Sequence, residues 1–463
     1  MKNFTSFELL RNMAVDQRFY WFFFVIGLAW MIVLWSQSPG WYFLDEIEHV
    51  NLNRTAWLNY EYIWDFWGRT GYTLMYMFPS LFGLNGARFL SVLLAASIVL
   101  ITTGVAHKLD VKRLYLIPLF LWFQPWYVDM MYAANTMIPL SFCMILGVYL
   151  WLDDRPLWAS VVFGSLGLMR NEAIFLTGLW GLYVLYKRNW WAAIITVLPV
   201  ISHNLSYLFL VRLDLASMPI AHYLIPRERG LYGYGNAIYF LNYILWAVQI
   251  PILFWWVQGL LKTHWRQKEG LIQVFYWSFV ALHTIIFMYG LFASGGYGFF
   301  VLPVAPILAI TAARGANFMI DMVSKGWPLR SMNSAQYGLL ALIAIPVMIP
   351  AFLVVPRPLS EDALALGEAV DWVHQHSIEP NRIVTAHPYV FYLLFFGTNT
   401  DLAPQQGQQS PDTFPEGTVL IWDDHMAEWL EWKFSILSES DNDWVELARF
   451  GQNDSVVIFA RKS

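Results

Sequence analysis

The sequence predicts a polytopic α-helical membrane protein, with about 11 transmembrane helices, that carries a small C-terminal α/β domain. Of its 463 residues, 58% are apolar and only 13% are charged, whereas soluble domains average about 45–50% and about 25%. Aromatic residues make up 18% of the chain, which suits the two interfaces of a membrane. Charge divides the chain in the same way: residues 1–356 hold 22 basic and 16 acidic residues, and residues 357–463 hold six and 17.

These features exclude several classes of protein. The acidic tail, and the lack of a basic stripe interleaved with aromatics, argue against nucleic-acid binding. Cys143 is the only cysteine, so the chain forms neither an internal disulfide nor a cysteine metal site. Lys2, Arg11 and Arg18 precede an apolar run over 19–35 that has no small-residue cleavage site, which predicts an uncleaved signal anchor.

Hydropathy predicts the transmembrane spans, because a helix needs roughly 20 mostly apolar residues to cross the hydrocarbon core. They lie near 19–37, 83–107, 113–130, 136–152, 156–170, 172–186, 190–211, 237–261, 270–292, 299–320 and 335–355. Lys and Arg occur in alternate connections, as expected of cytoplasmic loops. These are the connections near 108–113, 155, 187–188, 262–268 and 325–330. With a cytoplasmic N-terminus, an odd number of spans places the C-terminal domain outside.

The predicted C-terminal domain, 357–463, has the pattern of an α/β fold. Leu359 to His376 shows helical periodicity. Further elements are predicted from apolar runs between turn residues: strands at 382–386, 418–422 and 456–460, a helix at 427–437, and a Gln- and Pro-rich loop at 402–415.

The first long outer connection, 38–82, begins with an acidic cluster. Asp45, Glu46, Glu48 and His49 lie within five residues. If a helix begins here, Asp45, Glu48 and His49 share one face, and a partly desolvated carboxylate at a membrane surface suits general-base catalysis. The alternative is an ordinary acidic helix start. The aromatic segment that follows predicts either a helix in the interface plane, which could frame a lipid-facing entrance, or an aromatic belt.

Further ionisable residues are expected on the same side of the membrane. Asp129 ends the third span, and Arg170 and Glu172 lie between the fifth and sixth. Such residues are costly in a membrane and usually face a cavity or a partner. For Arg170 and Glu172, the alternative is mutual neutralisation across a tight turn.

The second long outer connection, 212–236, is rich in arginine. It contains Arg212, His222, Arg227 and Arg229, although the positive-inside trend disfavours outer arginines. Guanidinium groups bind phosphate or pyrophosphate bidentately, which predicts such a ligand here. Pairing with acidic neighbours or lipid headgroups is the alternative.

Two other motifs give weaker signals. Glycines on both sides of Tyr297 permit a turn or a close backbone approach. In the tail, His387 and the sequence Asp423-Asp424-His425 suggest a metal, but they lack the spacing of a metal motif. We therefore predict no metal site there.

Taken in order, these features resemble the GT-C superfamily of polyprenyl-phosphate-dependent membrane glycosyltransferases. Leu44-Asp45-Glu46 resembles the Asp-Glu pair of protein O-mannosyltransferases and aminoarabinose transferases. Leu168-Met-Arg170-Asn171-Glu172 is similar to the Arg-Pro-Glu segment of bacterial members, with Asn171 in place of Pro. Gly295-Gly-Tyr297-Gly-Phe299-Phe-Val-Leu-Pro303 is similar to their Gly-Gly-Tyr-x-Arg-Tyr-x-x-Pro segment. Phe299 replaces Arg there, which moves the predicted phosphate contacts toward the 212–236 loop.

The resemblance implies an inverting transfer of a sugar from a polyprenyl-phosphate donor to an acceptor hydroxyl at the outer face of a bacterial inner membrane. The acceptor is a glycan, a lipid or a protein, and the tail resembles an outer domain that recognises it. No cofactor is required, although some members use a divalent ion beside the acidic pair. The implied site residues are Asp45, Glu46 and His49 for catalysis, Arg170, Arg212, Arg227 and Arg229 for the donor phosphate, and Asp129, Glu172, His222 and Tyr297 as supports.

Three other function classes stay open. A transporter or flippase predicts repeats and polar residues near the midplane, whereas this sequence shows no repeat and gathers its charges at one face. An outer-face ligase or acyltransferase is the second class, and a catalytic His within a span (His107, His203 or His283) would favour an acyltransferase. The third class is a receptor or scaffold without catalytic activity, which would not need the clusters of charged residues described above.

Overall fold

The computed structural model describes residues 6–211, 229–230, 232–291, 295–326, 332–395, 405–406, 411–430, 432–438 and 443–462. Helices dominate this part of the chain. They are α1 (Ser6–Gln37), α2 (Asp45–Leu58), α3 (Thr70–Ser80), α4 (Gly83–Lys108), α5 (Leu116–Trp122), α6 (Pro125–Met130), α7 (Met137–Leu152), α8 (Pro156–Gly164), α9 (Leu166–Met169), α10 (Ile174–Tyr186), α11 (Trp190–Leu210), α12 (Tyr239–Leu260), α13 (Lys268–Met288), α14 (Ala305–Gly326), α15 (Met332–Phe352), α16 (Glu361–Gln375), α17 (Pro388–Phe395), α18 (Met426–Trp429) and α19 (Phe434–Ser438).

Each predicted span coincides with one helix or with two consecutive helices, so the predicted class of fold is confirmed. In the described part of the chain, six helical segments are long and apolar enough to cross a membrane: Asp16–Gln37, Gly83–Lys108, Trp190–Leu210, Tyr239–Leu260, Lys268–Met288 and Gly298–Val323. The predicted count of about 11 is not confirmed: the third span is broken into α5 and α6, α10 is short, and Met137–Leu152, Pro156–Met169 and Tyr337–Phe352 are shorter apolar segments. The 13 residues of α10 extend about 20 Å, against roughly 30 Å of hydrocarbon.

Two of the predicted spans are interrupted at residues whose backbone is extended. The local sequence explains the first interruption, and the backbone angles locate the second. Gln124 is extended, with ψ 118°, and Pro125 follows it; a residue before proline is disfavoured in the helical region. The third predicted span is therefore split into α5 and α6. Arg170 is also extended, with φ −155° and ψ 131°, and it separates α9 from a short 3-10 helix, Asn171–Ala173. The second break places charged side chains between two apolar helices.

The chain divides into two compact units. The first comprises Met1–Trp35, Trp64–Tyr72 and Arg88–Pro356, and the second comprises Ser36–Ile63, Thr73–Ala87 and Arg357–Ser463. Most of the connection 38–82, which the sequence predicts to be an outer loop, thus groups with the C-terminal residues. The domain limits that the sequence suggests, 1–356 and 357–463, stay a prediction.

Glycines allow α12 and α14 to pack closely within the first unit. A Cβ at Gly259 would overlap the carbonyl oxygen of Thr311, and one at Gly315 would overlap that of Trp255. Small residues at such positions let membrane helices approach each other backbone to backbone. Gly259 and Gly315 therefore permit the close backbone contact between these two helices.

The C-terminal part of the second unit is an α/β fold. Its described strands are β1 (Ile383–Thr385), β2 (Gln405–Gln406), β3 (Val419–Asp423), β4 (Trp444–Phe450) and β5 (Val456–Arg461), in the order β2-β1-β3-β5-β4. β1 runs parallel to β2 and β3, whereas β5 is antiparallel to β3 and β4. One face of the sheet buries an aromatic core that includes Phe414, Trp422 and Trp432.

The predicted elements of this domain are mostly observed. The helix at 359–376 and the three strands are confirmed by α16, β1, β3 and β5. The helix predicted at 427–437 is broken into α18 and α19. Trp432, between them, is 2% exposed, and its carbonyl oxygen accepts a hydrogen bond from Nε1 of Trp422 at 2.7 Å. Insertion of Trp432 into the core accounts for the break.

Candidate active site

The acidic cluster of the second unit lies on the first turn of α2. The helix begins at Asp45, and Leu44 before it provides no side-chain cap. Asp45 is half-buried, whereas Glu46 and His49 are each 4% exposed. Carboxylates in a first turn interact favourably with the positive end of the helix dipole. The expected helix start is thus observed, and the roles of these side chains stay predictions.

In the first unit, the break after α9 contains a buried arginine. Arg170 is 6% exposed. Its Nη1 donates to Oγ1 of Thr136 at 3.2 Å, and its Nη2 donates to Oε1 of Glu172 at 3.2 Å. Its Cζ lies 4.6 Å from the ring centroid of Phe300. The Nε of Arg170 is buried and donates to no group in the described ranges, so one N–H of a well-held guanidinium can serve another acceptor.

Glu172 lies close to two arginines. It forms a salt bridge with Arg170. The mutual neutralisation of these two residues, which the sequence analysis gave as the alternative to a functional role, is therefore observed. It also interacts electrostatically with Arg69 and His283. Its Oε2 is buried and accepts no hydrogen bond from the residues described. Two guanidinium groups therefore lie near this carboxylate, and arginine side chains are suited to bind an anionic ligand.

Phe300 connects this group to a buried histidine on α13. The rings of His283 and Phe300 are 4.3 Å apart, with 20° between their planes. His283 is fully buried, and neither of its ring nitrogens forms a hydrogen bond within the part of the chain described. The sequence gives His283 no acidic neighbour, but the fold brings Glu172 within electrostatic range.

Arg69 is a candidate site residue that the sequence reasoning missed. It is 8% exposed and has a left-handed φ of 57°, which is strained for a residue with a side chain. Its Nη1 donates to the carbonyl oxygen of Trp67 at 2.7 Å. It lines a pocket of the first unit together with Asn171 and His203. The signal that drew attention to the 212–236 loop, an arginine on the predicted outer side, also applies to Arg69.

The remaining predicted site residues lie in other elements or outside the described residues. Asp129 is half-buried in the last turn of α6. Tyr297 is 37% exposed, and its ring stacks on Phe299 at 5.3 Å. Phe299, which stands where the similar glycosyltransferase segment has arginine, is thus part of an aromatic stack. Arg229 is exposed. Three predicted residues lie outside those described: Arg212, His222 and Arg227.

The side chains that suggested a metal in the tail make local hydrogen bonds. Nδ1 of His387 accepts from the backbone N–H of Tyr389 at 3.1 Å, and burial with the neighbouring His425 lowers the pKa of His387 to about 3. Oδ1 of Asp423 accepts from the backbone N–H groups that begin α18. Among the residues with a described position, no group of three or more His, Cys, Asp or Glu side chains could hold a metal ion.

The long apolar helices, the charged break and the C-terminal sheet describe a multi-pass membrane protein with a small α/β domain. The chain is similar to the crystal structure of ArnT from Cupriavidus metallidurans bound to undecaprenyl phosphate. The TM-score is 0.64 at 12% identity, over 95% of this chain and 97% of that one. The apo structure of the same protein gives a TM-score of 0.65 at 13% identity, over 94% and 97%.

The chain is also similar to an Archaeoglobus fulgidus oligosaccharyltransferase tethered with an acceptor peptide. The TM-score is 0.52 at 11% identity, over 96% of this chain and 74% of that one. ArnT and the oligosaccharyltransferase are both GT-C superfamily glycosyltransferases, so the fold that the resemblance implied is confirmed. No protein-family model and no curated protein matches the sequence.

Proposed function

We propose that the protein is a glycosyltransferase that moves a sugar from a polyprenyl-phosphate-linked donor to an acceptor hydroxyl. The observation that carries this proposal is the fold shared over 95% of the chain with a structure that holds undecaprenyl phosphate. The buried arginines of the first unit, Arg69 and Arg170, support it, because guanidinium groups bind phosphate bidentately.

Arg170 is the proposed principal ligand of the donor phosphate. Thr136, Glu172 and Phe300 fix its guanidinium plane, and a guanidinium held in this way loses little entropy when it binds phosphate bidentately. Arg69, near the same carboxylate, adds a second cation. The arginines of the 212–236 loop, Arg229 among them, are proposed as further contacts.

Asp45 is the proposed general base of an inverting reaction. Its carboxylate takes the proton of the acceptor hydroxyl while the acceptor oxygen bonds to the anomeric carbon. The bond from that carbon to the phosphate oxygen breaks, and polyprenyl phosphate leaves with the bonding electrons. Arginine cations stabilise the charge that develops on this phosphate. Glu46 and His49, both buried on α2, are proposed to hold Asp45 or the acceptor.

The reaction is proposed to occur at the outer face of a bacterial inner membrane. Two features support this orientation: the basic residues of the predicted cytoplasmic connections, and the acidic composition of residues 357–463. The N-terminus would then be cytoplasmic and the C-terminal domain extracytoplasmic.

The test is release of free polyprenyl phosphate by the purified protein from a panel of polyprenyl-phosphate sugars, with membrane-lipid extract as the acceptor source. Asp45→Asn should lower the release rate by about 10²–10⁴-fold, the usual contribution of general-base catalysis, and leave thermal unfolding unchanged. Asp362→Asn is the matched control, because Asp362 is an exposed carboxylate in the first turn of another helix, α16.

Two outcomes would contradict the proposal. Wild-type release rates from Asp45→Asn would remove Asp45 as the base. No release from any donor, together with uptake of the donor into protein-containing liposomes, would favour the transporter class.

A further inference from the structure

Helix α17 of the C-terminal domain packs on α2 within the second unit. Nδ2 of Asn51, on α2, donates to the carbonyl oxygen of Pro388 at 2.9 Å. Pro388 is the first residue of α17. The two helices are therefore joined by a hydrogen bond between residues that lie more than 300 positions apart in the sequence.

Tyr392 of α17 contacts the outer loop at two further places. The Cζ of Arg54, on α2, lies 5.3 Å from the centroid of its ring. Its hydroxyl oxygen accepts the backbone N–H of Leu84 at 3.2 Å, where the loop leads into α4. One side chain of the C-terminal domain thus touches both α2 and the far end of the loop.

The segment that leads into α2 is held as well. The rings of Trp41 and Tyr389, on α17, are 4.5 Å apart. The backbone N–H of Gly40 donates to the carbonyl oxygen of Arg357 at 3.0 Å. The backbone N–H of Arg357 in turn donates to Oγ of Ser38 at 2.9 Å. The chain is therefore fixed by C-terminal residues immediately before it reaches Asp45.

Arg54 shows how closely the two helices fit. It is 9% exposed, and its Nη2 donates to Oδ1 of Asn51 at 2.5 Å. Burial lowers the pKa of Arg54 to about 10, so it stays charged at neutral pH. A buried cation without partners is costly. The ring of Tyr392 is a partner that Arg54 loses if α17 moves away, whereas Asn51 lies on α2 and stays beside it.

We infer that the C-terminal domain positions α2, and through it Asp45, by way of Asn51, Arg54 and Tyr392. This inference rests on the proposed function, because it gives Asp45 a reaction to perform. Displacement of a catalytic group by about 1 Å can cost 10²-fold in rate. The three residues are positioning residues, and the domain acts on the rate of transfer and not only on recognition of the acceptor.

The experiment compares Tyr392→Leu with Phe414→Leu in the full-length protein. Phe414 is a buried aromatic of the sheet core and controls for the loss of an aromatic from the same domain. Tyr392→Leu should lower kcat by about tenfold to 10²-fold and leave the acceptor KM within twofold. Phe414→Leu should lower the thermal unfolding temperature but leave kcat near wild type. Tyr392→Phe, which keeps the ring beside Arg54, should retain most of the rate.

A double variant separates positioning from recognition. Because Tyr392 acts through Asp45, adding Tyr392→Leu to Asp45→Asn should lower the rate no further. A full multiplicative effect in that background would overturn the inference. A raised acceptor KM with unchanged kcat would also overturn it and assign the domain to acceptor recognition.

Hydrogen exchange of α2 tests the contact without turnover. Tyr392→Leu should speed exchange of the α2 backbone more than Phe414→Leu does. If the wild-type protein releases no polyprenyl phosphate from any donor, the proposed function fails. The exchange measurement still tests whether α17 stabilises α2. Equal exchange of α2 in both variants would overturn the inference whatever the activity.

Discussion

Replacement of Arg170 by methionine should have two separable effects, one on stability and one on transfer. Nη2 of Arg170 lies 3.2 Å from Oε1 of Glu172, so at an effective dielectric constant of about 20 their attraction is about 5 kcal/mol. Glu172 is only 17% exposed, and breaking a buried pair typically costs about 3–5 kcal/mol. We expect Arg170→Met to lower the free energy of unfolding by an amount in this range, and to abolish release of polyprenyl phosphate.

Adding Glu172→Gln separates the two effects. The double variant no longer buries an unpaired carboxylate, so thermal unfolding should return toward wild type, whereas transfer should stay lost because the phosphate ligand is still missing. The matched control is Arg155→Gln, at an arginine that is 62% exposed. A double variant that regains both stability and transfer would show that Arg170 serves only the ion pair. Full stability of Arg170→Met alone would refute the electrostatic reasoning.

Three further outcomes are expected. His283→Phe keeps the stack on Phe300 and removes two buried nitrogens that form no hydrogen bond in the part described. Thermal unfolding should therefore show a stability that is unchanged or raised by about 1–3 kcal/mol, and transfer should be retained. Transfer at background level would instead assign a catalytic role to His283. Burial raises the pKa of Asp423 to about 6, so the folded form binds this proton more tightly and stability falls as pH rises from about 4 to about 6, by up to about 3 kcal/mol. Asp423→Asn should therefore exceed wild type in unfolding temperature at pH 7 but not at pH 4, and an equal difference at both pH values would contradict the cause. Gly259→Leu should force α12 away from Thr311 of α14 and destabilise by at least about 1–3 kcal/mol, whereas wild-type unfolding would show that the close approach is dispensable.

Hydropathy located the apolar helices because burial in lipid demands a continuous apolar run. It did not reveal how the runs are broken, since the break at Arg170 depends on partners such as Thr136 and Phe300 that come from other helices. The polar edge strand β4 was missed for a related reason. Only its first residue, Trp444, is buried, so its sequence lacks the apolar run that identified β3.

The candidate site was predictable only where its residues are neighbours in sequence. The acidic pair at Asp45 and the ion pair of Arg170 and Glu172 are local and could be found. The approach of His283 to Glu172 joins residues more than 100 positions apart, and no spacing rule connects them. Arg69 was overlooked because its burial and left-handed backbone are not visible in the sequence.

The contacts of α17 with residues 51–84 have a consequence for the construction of chimeric proteins. A chimera that exchanged only residues 357–463 with a distant homologue would bring a foreign helix against a native α2 and separate Asn51 and Arg54 from the groups that now contact them. Residues 38–82 and 357–463 should therefore be exchanged together in a chimera, although many helices separate them in the sequence.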